Sequence, residues 1–447
     1  MQLKIKKGLD LNIAGAAPHP ASPQQIKRVE PQLVAIVPDD FPGFLPKMAV
    51  KEGDSVAAGA PIMFDKLHPD VKLISPVSGT VKSVVRGERR KLLRVEIQPE
   101  AGAALAAFKA AEADDLRTRL MHSGLWAMMR QRPYDIVPMP ERTPRDIFVT
   151  AYDSAPLAPH LEYAVMGEEH ERELAAAVKA LSALTTGKVY VALPQGSPLK
   201  PIPGAEMLEV SGPHPSGNVG VQIANVKPVN KGETVWTLDI ITLCKIGQLA
   251  LNGTIDPYTL ITVAGPEVKN PEYLLAPAGT DAATLLSGKL DGDTHRRVIS
   301  GSVLSGVNIG ADGFLRYPYR HISVIREGDD ADEFMGWAAP EASKPSVKRS
   351  VLGHFLKSRK FSPDARLNGG RRAMILSGEY DKVLPMDIYA EYLLKAILSH
   401  DIDKMEALGI YEVAPEDFAL AEFVDTSKLE LQKIVREGLD YLRKEVE

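Results

Sequence analysis

The chain has 447 residues, enough for about three domains of ordinary size. Its 53 basic and 58 acidic side chains give a formal net charge of −5, which excludes a bulk nucleic-acid binder, while 45% apolar and 25% charged residues fit a soluble chain with substantial cores. The single cysteine, Cys244, excludes intrachain disulfides, multi-cysteine zinc sites and any iron–sulfur cluster held by four cysteines of this chain.

Met1 to Lys7 alternates apolar and basic residues and turns at Gly8, the pattern of a strand, with no secretory h-region behind it. No run of about 18 apolar residues is free of charge, so no membrane-spanning helix is expected and any membrane association goes through partners or surface charge. Residues 1–100 read as a small all-β domain, with turn residues recurring between brief apolar runs. The hairpin Val50-Lys51-Glu52-Gly53-Asp54-Ser55-Val56 and the later Ser75-Pro76-Val77-Ser78-Gly79-Thr80-Val81 resemble those of a biotinyl/lipoyl carrier domain. In such carriers the modified lysine sits on the turn between the hairpins; here that position falls at or near His68, beside Pro69. An unmodified carrier-like domain used for docking is the expectation. A carrier holding covalent biotin or lipoate is the alternative that intact mass would expose.

Residues 101–255 alternate strands and helices, which predicts a Rossmann-like α/β domain with a parallel sheet. Asp146 to Ala151 and Lys188 to Leu193 are strands. Glu171 to Leu184 is a helix with Leu174, Val178, Leu181 and Leu184 on one face and Gly187 as its C-terminal cap. No G-x-G-x-x-G or G-x-x-x-x-G-K-[ST] occurs. The nearest glycine-rich loop, Gly212-Pro213-His214-Pro215-Ser216-Gly217-Asn218, contains prolines that remove donors a phosphate cradle needs. No bound dinucleotide is expected.

Residues 256–330 follow the order strand, short helix, strands. Tyr258 to Val263 opens the unit, Gly279-Thr280-Asp281 leads into a helix ending at Leu286, and Arg297–Ile299 and His321–Ile325 follow. A β-grasp domain fits that order, as do other small α+β folds. Residues 331–447 read as a helical domain lacking cluster cysteines. Val347, Val351, Leu352, Phe355 and Leu356 share one helical face, Asp387 to Leu398 is a second helix, and the last starts at the capping box Ser427-x-x-Glu430.

Chemistry is sparse. The ten histidines form no H-x-x-x-H or H-E-x-x-H pair, no G-x-S-x-G elbow is present, and Cys244 reads as a small apolar side chain. No catalytic residue and no metal ligand is assigned. Two segments carry binding hypotheses. In Gly124 to Tyr134, the apolar Trp126 and Tyr134 beside Arg130 and Arg132 could hold a flat quinone ring and donate to its carbonyl oxygens; a helix-to-loop corner with Trp126 in the core competes with that reading. The basic run including Lys348, Arg349, Lys357, Arg359 and Lys360 suits anionic lipid headgroups, an acidic partner or merely a solvated helix face.

Taken in order along the whole chain, several motifs resemble the A subunit of the bacterial sodium-translocating NADH:quinone reductase. They include Ile5-Lys6-Lys7-Gly8-Leu9-Asp10-Leu11, Ser75–Gly79, Ser123-Gly124-Leu125-Trp126 with Arg130-x-Arg132-Pro133, and Leu184–Val191. Gly212-Pro213-His214-Pro215, Val298–Gly306, Gly336-Trp337-Ala338 and Tyr380–Asp387 complete the series. The resemblance implies a peripheral subunit on the cytoplasmic side of the bacterial inner membrane. Its partners would be the five other subunits of a six-subunit enzyme, mainly the membrane-embedded ones. That enzyme passes electrons from NADH to ubiquinone and exports Na(+). The subunit would bind no cofactor of its own and contribute to assembly and to the quinone-reducing end, the step from ubisemiquinone to ubiquinol. NADH, flavins, iron centres and Na(+) would belong to other subunits, with ubiquinone a candidate substrate.

The same resemblance extends to the C subunit of the Rnf complex and the flavoprotein subunit of complex I, and supports a ligand-binding type of β-grasp for residues 256–330. Asp425-Thr426-Ser427 departs from the family, many of whose members carry Cys-Pro-Gly there. A self-sufficient flavin-dependent NADH dehydrogenase, related to the complex I flavoprotein subunit, is the alternative function.

Overall fold

Short apolar runs between turn residues make two small antiparallel sheets of residues 34–99. One contains Val34–Ile36, Leu92–Pro99, Gly79–Arg86 and Ser55–Val56; the other contains Pro46–Met48, Pro61–Asp65 and Lys72–Ile74. Val34, Ile62, Val77, Val95 and Ile97 are fully buried between them. His68 stands on the turn joining Pro61–Asp65 to Lys72–Ile74, where Val71 N donates to its carbonyl at 2.9 Å. The computed structural model describes residues 1–100, 105–110, 113, 115–290, 292, 294–329, 352–356 and 359–446.

A third sheet is parallel in the order Gln2–Lys4, Glu206–Ser211, Val189–Pro194, Asp146–Thr150, Val235–Asp239, with Arg130–Arg132 antiparallel at the far edge. The alternation at the N-terminus thus forms a strand, and that strand adds to the edge of this sheet. Both sheet faces are buried, as parallel sheets require. Ile147 and Val149 join one apolar core with Leu174, Val178 and Leu243, from helices Glu168–Ser182 and Ile240–Asn252. Phe148 joins another core with Val221 and Ile223 of helix Val219–Val226 and with the C-terminal helices.

Helix Glu168–Ser182 ends at Ala183, before the expected Gly187 cap. Gly187 instead lies where a Cβ would approach the Arg145 carbonyl to 2.2 Å, a close-packing role. Helix Ile240–Asn252 starts with Asp239 accepting from Thr242 N at 2.7 Å and stops at left-handed Gly253.

A fourth, mixed sheet runs Lys27–Arg28, Glu272–Pro277, Tyr258–Ala264, His321–Arg326, Arg296–Ser300, Val307–Asn308, with helix Ala282–Leu286 capped by Asp281. Asp281 also accepts from Leu33 N at 3.0 Å, which ties this unit to the entry of the first.

The C-terminal helices include Ala390–Leu398, Ala419–Val424 and Leu431–Val446. Leu431, Val435, Leu439 and Leu442 are fully buried on one face of the last. That helix begins at Leu431, because Ser427 Oγ donates to the Ala373 carbonyl and the Asp425 carboxylate takes the Ser427 and Leu429 N–H groups. The expected capping box is therefore not formed. Most of the basic run, including Lys348, Arg349 and Lys357, lies outside the described residues. Arg359 and Lys360 are exposed. Of the expected helical face, Val347 and Val351 lie outside the described residues, and Phe355 and Leu356 are 67% and 38% exposed. No helix among the described residues is long and apolar enough to cross a membrane.

Candidate functional site

Open parallel sheets bind ligands beyond the carboxyl ends of their strands, where the chain reverses its direction of progress across the sheet. Here that point lies between Asp146–Thr150, from which the chain works outward, and Val235–Asp239, to which it returns. A cleft of about 370 Å³ opens there, lined by Thr150, Asp239, Arg130, Arg132, Arg316 and Arg320 among others.

Three of these arginines are committed to carboxylates. Arg320 pairs with Asp239 at 2.6 Å, Arg316 with Asp40 at 2.5 Å, and Arg132 with Asp417 at 2.8 Å. Burial tends to raise the Asp239 carboxyl, but Arg320 and the Thr242 cap outweigh it and hold the group below its ordinary range. Burial dominates at Asp40, whose carboxyl is pushed up despite Arg316. Arg130 differs. It donates to the backbone carbonyls of Ala127, Met129 and Asp40 at 3.0, 3.1 and 2.6 Å, and its guanidinium lies 5.1 Å from the Tyr317 ring.

Beyond the Tyr317 ring lies a second cavity of about 90 Å³, where the three N-terminal units meet. Its walls are largely apolar and include Ile36, Leu73, Ile74, Leu125, Met128 and Leu315. Tyr317 stacks on Phe41 with centroids 5.3 Å apart and planes 6° apart, and its hydroxyl donates to the Met128 carbonyl. Burial pushes that hydroxyl up to about 12. Lys245 lines the same cavity, 8% exposed. Burial, with Arg320 nearby, pushes its ammonium down to about 8, and among the described residues its Nζ has no hydrogen-bond partner.

The four residues assigned from sequence to a quinone contact separate in space. Trp126 is fully buried, donates from Nε1 to the Pro138 carbonyl at 2.7 Å and meets Trp236 edge-on at 5.0 Å, so it is core. Tyr134 is buried in the core shared with the C-terminal helices, and its carbonyl accepts from Arg436 at 2.6 Å. Arg130 and Arg132 both reach the cleft, but Arg132 is bound up in its ion pair. What the segment does offer a ligand is Gly124, Leu125 and Met128 on the apolar cavity, next to Ser123.

Asp40, Arg316, Tyr317 and Lys245 escaped the sequence reading. Only Lys245 carried a local signal, a lone charge inside the apolar run Ile240 to Ile246.

The loop Gly212–Asn218 runs into helix Val219–Val226, whose first turn is the expected anion position. Protein already fills it. A Cβ on Gly220 would come within 2.3 Å of Asp417 Oδ1, so the Asp417 carboxylate lies directly against the helix N-terminus. The loop also receives the N-terminal motif: Leu9 N donates to the His214 carbonyl, and His214 N donates to Asp10 Oδ1, both at 2.8 Å.

Comparison with known proteins gives concordant results. Residues 3–100 match the family described as NqrA N-terminal barrel-sandwich hybrid domain, 111–255 the NqrA second alpha/beta domain, and 260–310 the NQRA C-terminal domain. The A subunit of the Na(+)-translocating NADH-quinone reductase of Serratia proteamaculans is 39% identical over 457 aligned positions. Those of Klebsiella pneumoniae (strain 342) and Neisseria meningitidis serogroup B are 38% and 36% identical. Each alignment covers 99% of this chain and all of the relative. Among solved structures, an NAD+-reducing [NiFe]-hydrogenase chain in the air-oxidized state aligns at 12% identity with a TM-score of 0.34, over 67% of this chain and 55% of the other. So distant a likeness carries no functional weight.

Proposed function

The chain belongs to the NqrA family, the A subunits of the Na(+)-translocating NADH-quinone reductases, and from that membership we propose that it serves the quinone-reducing end of such a complex. In this reading it is a peripheral subunit on the cytoplasmic side of the membrane, docked on membrane-embedded partners while the complex exports Na(+). Its contribution is to contact ubiquinone during the step from ubisemiquinone to ubiquinol. The observation that carries the reading is the junction of an apolar cavity with the Arg130 side of the cleft across the Tyr317 ring. A flat apolar ring needs walls like those of Leu125, Met128 and Ile74, and negative charge accumulating on its oxygens needs a cation that no carboxylate has already neutralised. Arg130 and the ammonium of Lys245 meet that need from the two sides. The exposed Arg359 and Lys360 belong, in the same reading, to the surface that meets a partner or anionic lipid.

The rival reading, a self-sufficient flavin-dependent NADH dehydrogenase, requires a free anion position at the sheet's switch point. Asp417 stands in that position.

The test fills the cavity from its rim. Ala278 lines the cavity and is half-buried, so Ala278→Phe has room to fold. In the assembled complex it should lower quinone reduction while NADH oxidation by an artificial acceptor continues at the normal rate. Unchanged quinone kinetics would refute a quinone contact here.

A further inference from the structure

On the face of the parallel sheet away from the C-terminal helices, helices Glu168–Ser182 and Ile240–Asn252 cross in direct backbone contact. A Cβ on Gly247 would come to 1.9 Å from the Glu173 carbonyl. At that crossing three side chains of metal-ligand type converge. His170 Nδ1 lies 2.7 Å from Glu173 Oε2, Cys244 Sγ lies 3.0 Å from the same oxygen, and Sγ and Nδ1 are 3.4 Å apart. None of this belongs to the cleft or the apolar cavity described above.

We propose that His170, Glu173 and Cys244 form a zinc-binding site that braces the two helices. The donor set is one thiolate, one imidazole and one carboxylate, each an established type of zinc ligand. The size is right as well. Tetrahedral bonds of ~2.3 Å to sulfur and ~2.0–2.1 Å to nitrogen and oxygen place ligand atoms about 3.3–3.6 Å apart. The observed triangle of 2.7, 3.0 and 3.4 Å reaches that size when its two edges to Glu173 Oε2 lengthen by about 0.6 Å, a shift that side-chain torsions supply. The close helix crossing holds two ligands on rigid elements: Glu173 and Cys244 are both about 4% exposed. The imidazole of His170 is 34% exposed, so the ligand set is open to solvent on that side and a water can take the fourth position. Gln248 Nε2, 3.4 Å from Glu173 Oε2, is placed to orient the carboxylate from the second helix.

The sequence pattern alone does not show this site, since it joins an i, i+3 pair on one helix to a cysteine 71 residues further along the chain. On binding, the thiol proton leaves to solvent, the sulfur bonds to the metal as thiolate, and His170 presents its Nδ1 lone pair with a proton on the outer Nε2. No electron is transferred.

Because Cys244 is the chain's one cysteine, Co(2+) reports on it without ambiguity. The experiment titrates the untagged full chain, stripped with a chelator, with Co(2+) and then displaces it with Zn(2+). One equivalent of Co(2+) should give tetrahedral d–d bands together with a thiolate-to-cobalt charge-transfer band. Cys244→Ser should abolish the charge-transfer band. His170→Gln, at a half-exposed position where the chain should fold normally, should weaken Co(2+) binding at least ~10-fold. Zn(2+) should raise the melting temperature of the unaltered chain and leave that of Cys244→Ser unmoved. Any of three results overturns the site: no charge-transfer band at saturating Co(2+), d–d bands alone, which would place the metal on histidines elsewhere, or unchanged affinity in His170→Gln.

Discussion

Arg132 donates from Nη1 to Asp417 Oδ2 at 2.8 Å, and the two side chains, 285 residues apart in sequence, are 2% and 0% exposed. The pair joins the edge strand of the parallel sheet to the C-terminal helical unit and sets a carboxylate against the first turn of helix Val219–Val226. Removing one member of a buried pair strands the other, at a cost of about 3–5 kcal/mol. Asp417→Ala and Arg132→Met should each lower stability by that order, whereas the double variant should lose clearly less than the sum. Urea denaturation of the four proteins checks this. Strictly additive losses would show that the two side chains do not depend on one another.

Arg130 is a different kind of arginine, satisfied by backbone carbonyls and lying over Tyr317. Losing a charged hydrogen-bond donor to a bound substrate costs about 1.5–3 kcal/mol, or roughly 10–150-fold in kcat/KM. Arg130→Gln in the whole complex should therefore reduce quinone reductase activity by that factor, with Arg130→Lys intermediate and NADH dehydrogenase activity intact. Equal loss of both activities would point to failed assembly. Changing Arg132 at the same time would confound the result, because Arg132 holds the fold.

Two buried histidines set an acid limit on stability. His214 and His321 are 4% and 2% exposed, and burial pushes each imidazole down to about 4. Neither ring nitrogen of His321 has a hydrogen-bond partner among the described residues. In the unfolded chain these groups gain protons as pH falls through about 6.5, while the folded chain resists until about 4. Unfolding thus takes up protons in that window, and stability falls as pH drops, by about 1.4 kcal/mol per unit for each histidine. His321→Gln should make the loss between pH 6.5 and pH 5 smaller by about 2 kcal/mol, measured by urea unfolding at each pH. An unchanged pH slope would contradict the assignment.

Gly247 permits the helix crossing that brings Cys244 to Glu173. Gly247→Ala must push the helices apart and should destabilise the chain by about 1–3 kcal/mol. The same displacement should weaken Co(2+) binding. A melting temperature equal to that of the unaltered chain would show the contact to be looser than it stands here.

The elements that depend on local pattern were legible in the sequence. The strands Asp146–Thr150 and Val189–Pro194 and the apolar face of Glu168–Ser182 follow from periodicity, and Asp281 caps its helix where the residue order says it should. What could not be read was long-range. Nothing near Arg132 announces Asp417, and nothing in Met1–Lys7 says which sheet its strand joins. Trp126 shows the same limit from the other side. Its sequence neighbourhood suits a ring-binding surface, but Trp236 and the Pro138 carbonyl meet it in the core and leave the cavity to Leu125 and Met128. The ligand-bearing geometry of Cys244 depended on a crossing of two helices that no linear motif encodes.

The central claim, that this subunit touches the quinone at the cavity beside Tyr317, is tested most directly by photo-crosslinking. The assembled complex would be labelled with a ring-azido ubiquinone analogue, with and without excess ubiquinone, and the modified peptides mapped. Label on residues 123–130, 35–41 or 315–317 that excess ubiquinone suppresses is the predicted result. Label confined to other subunits, or insensitive to ubiquinone, would contradict it.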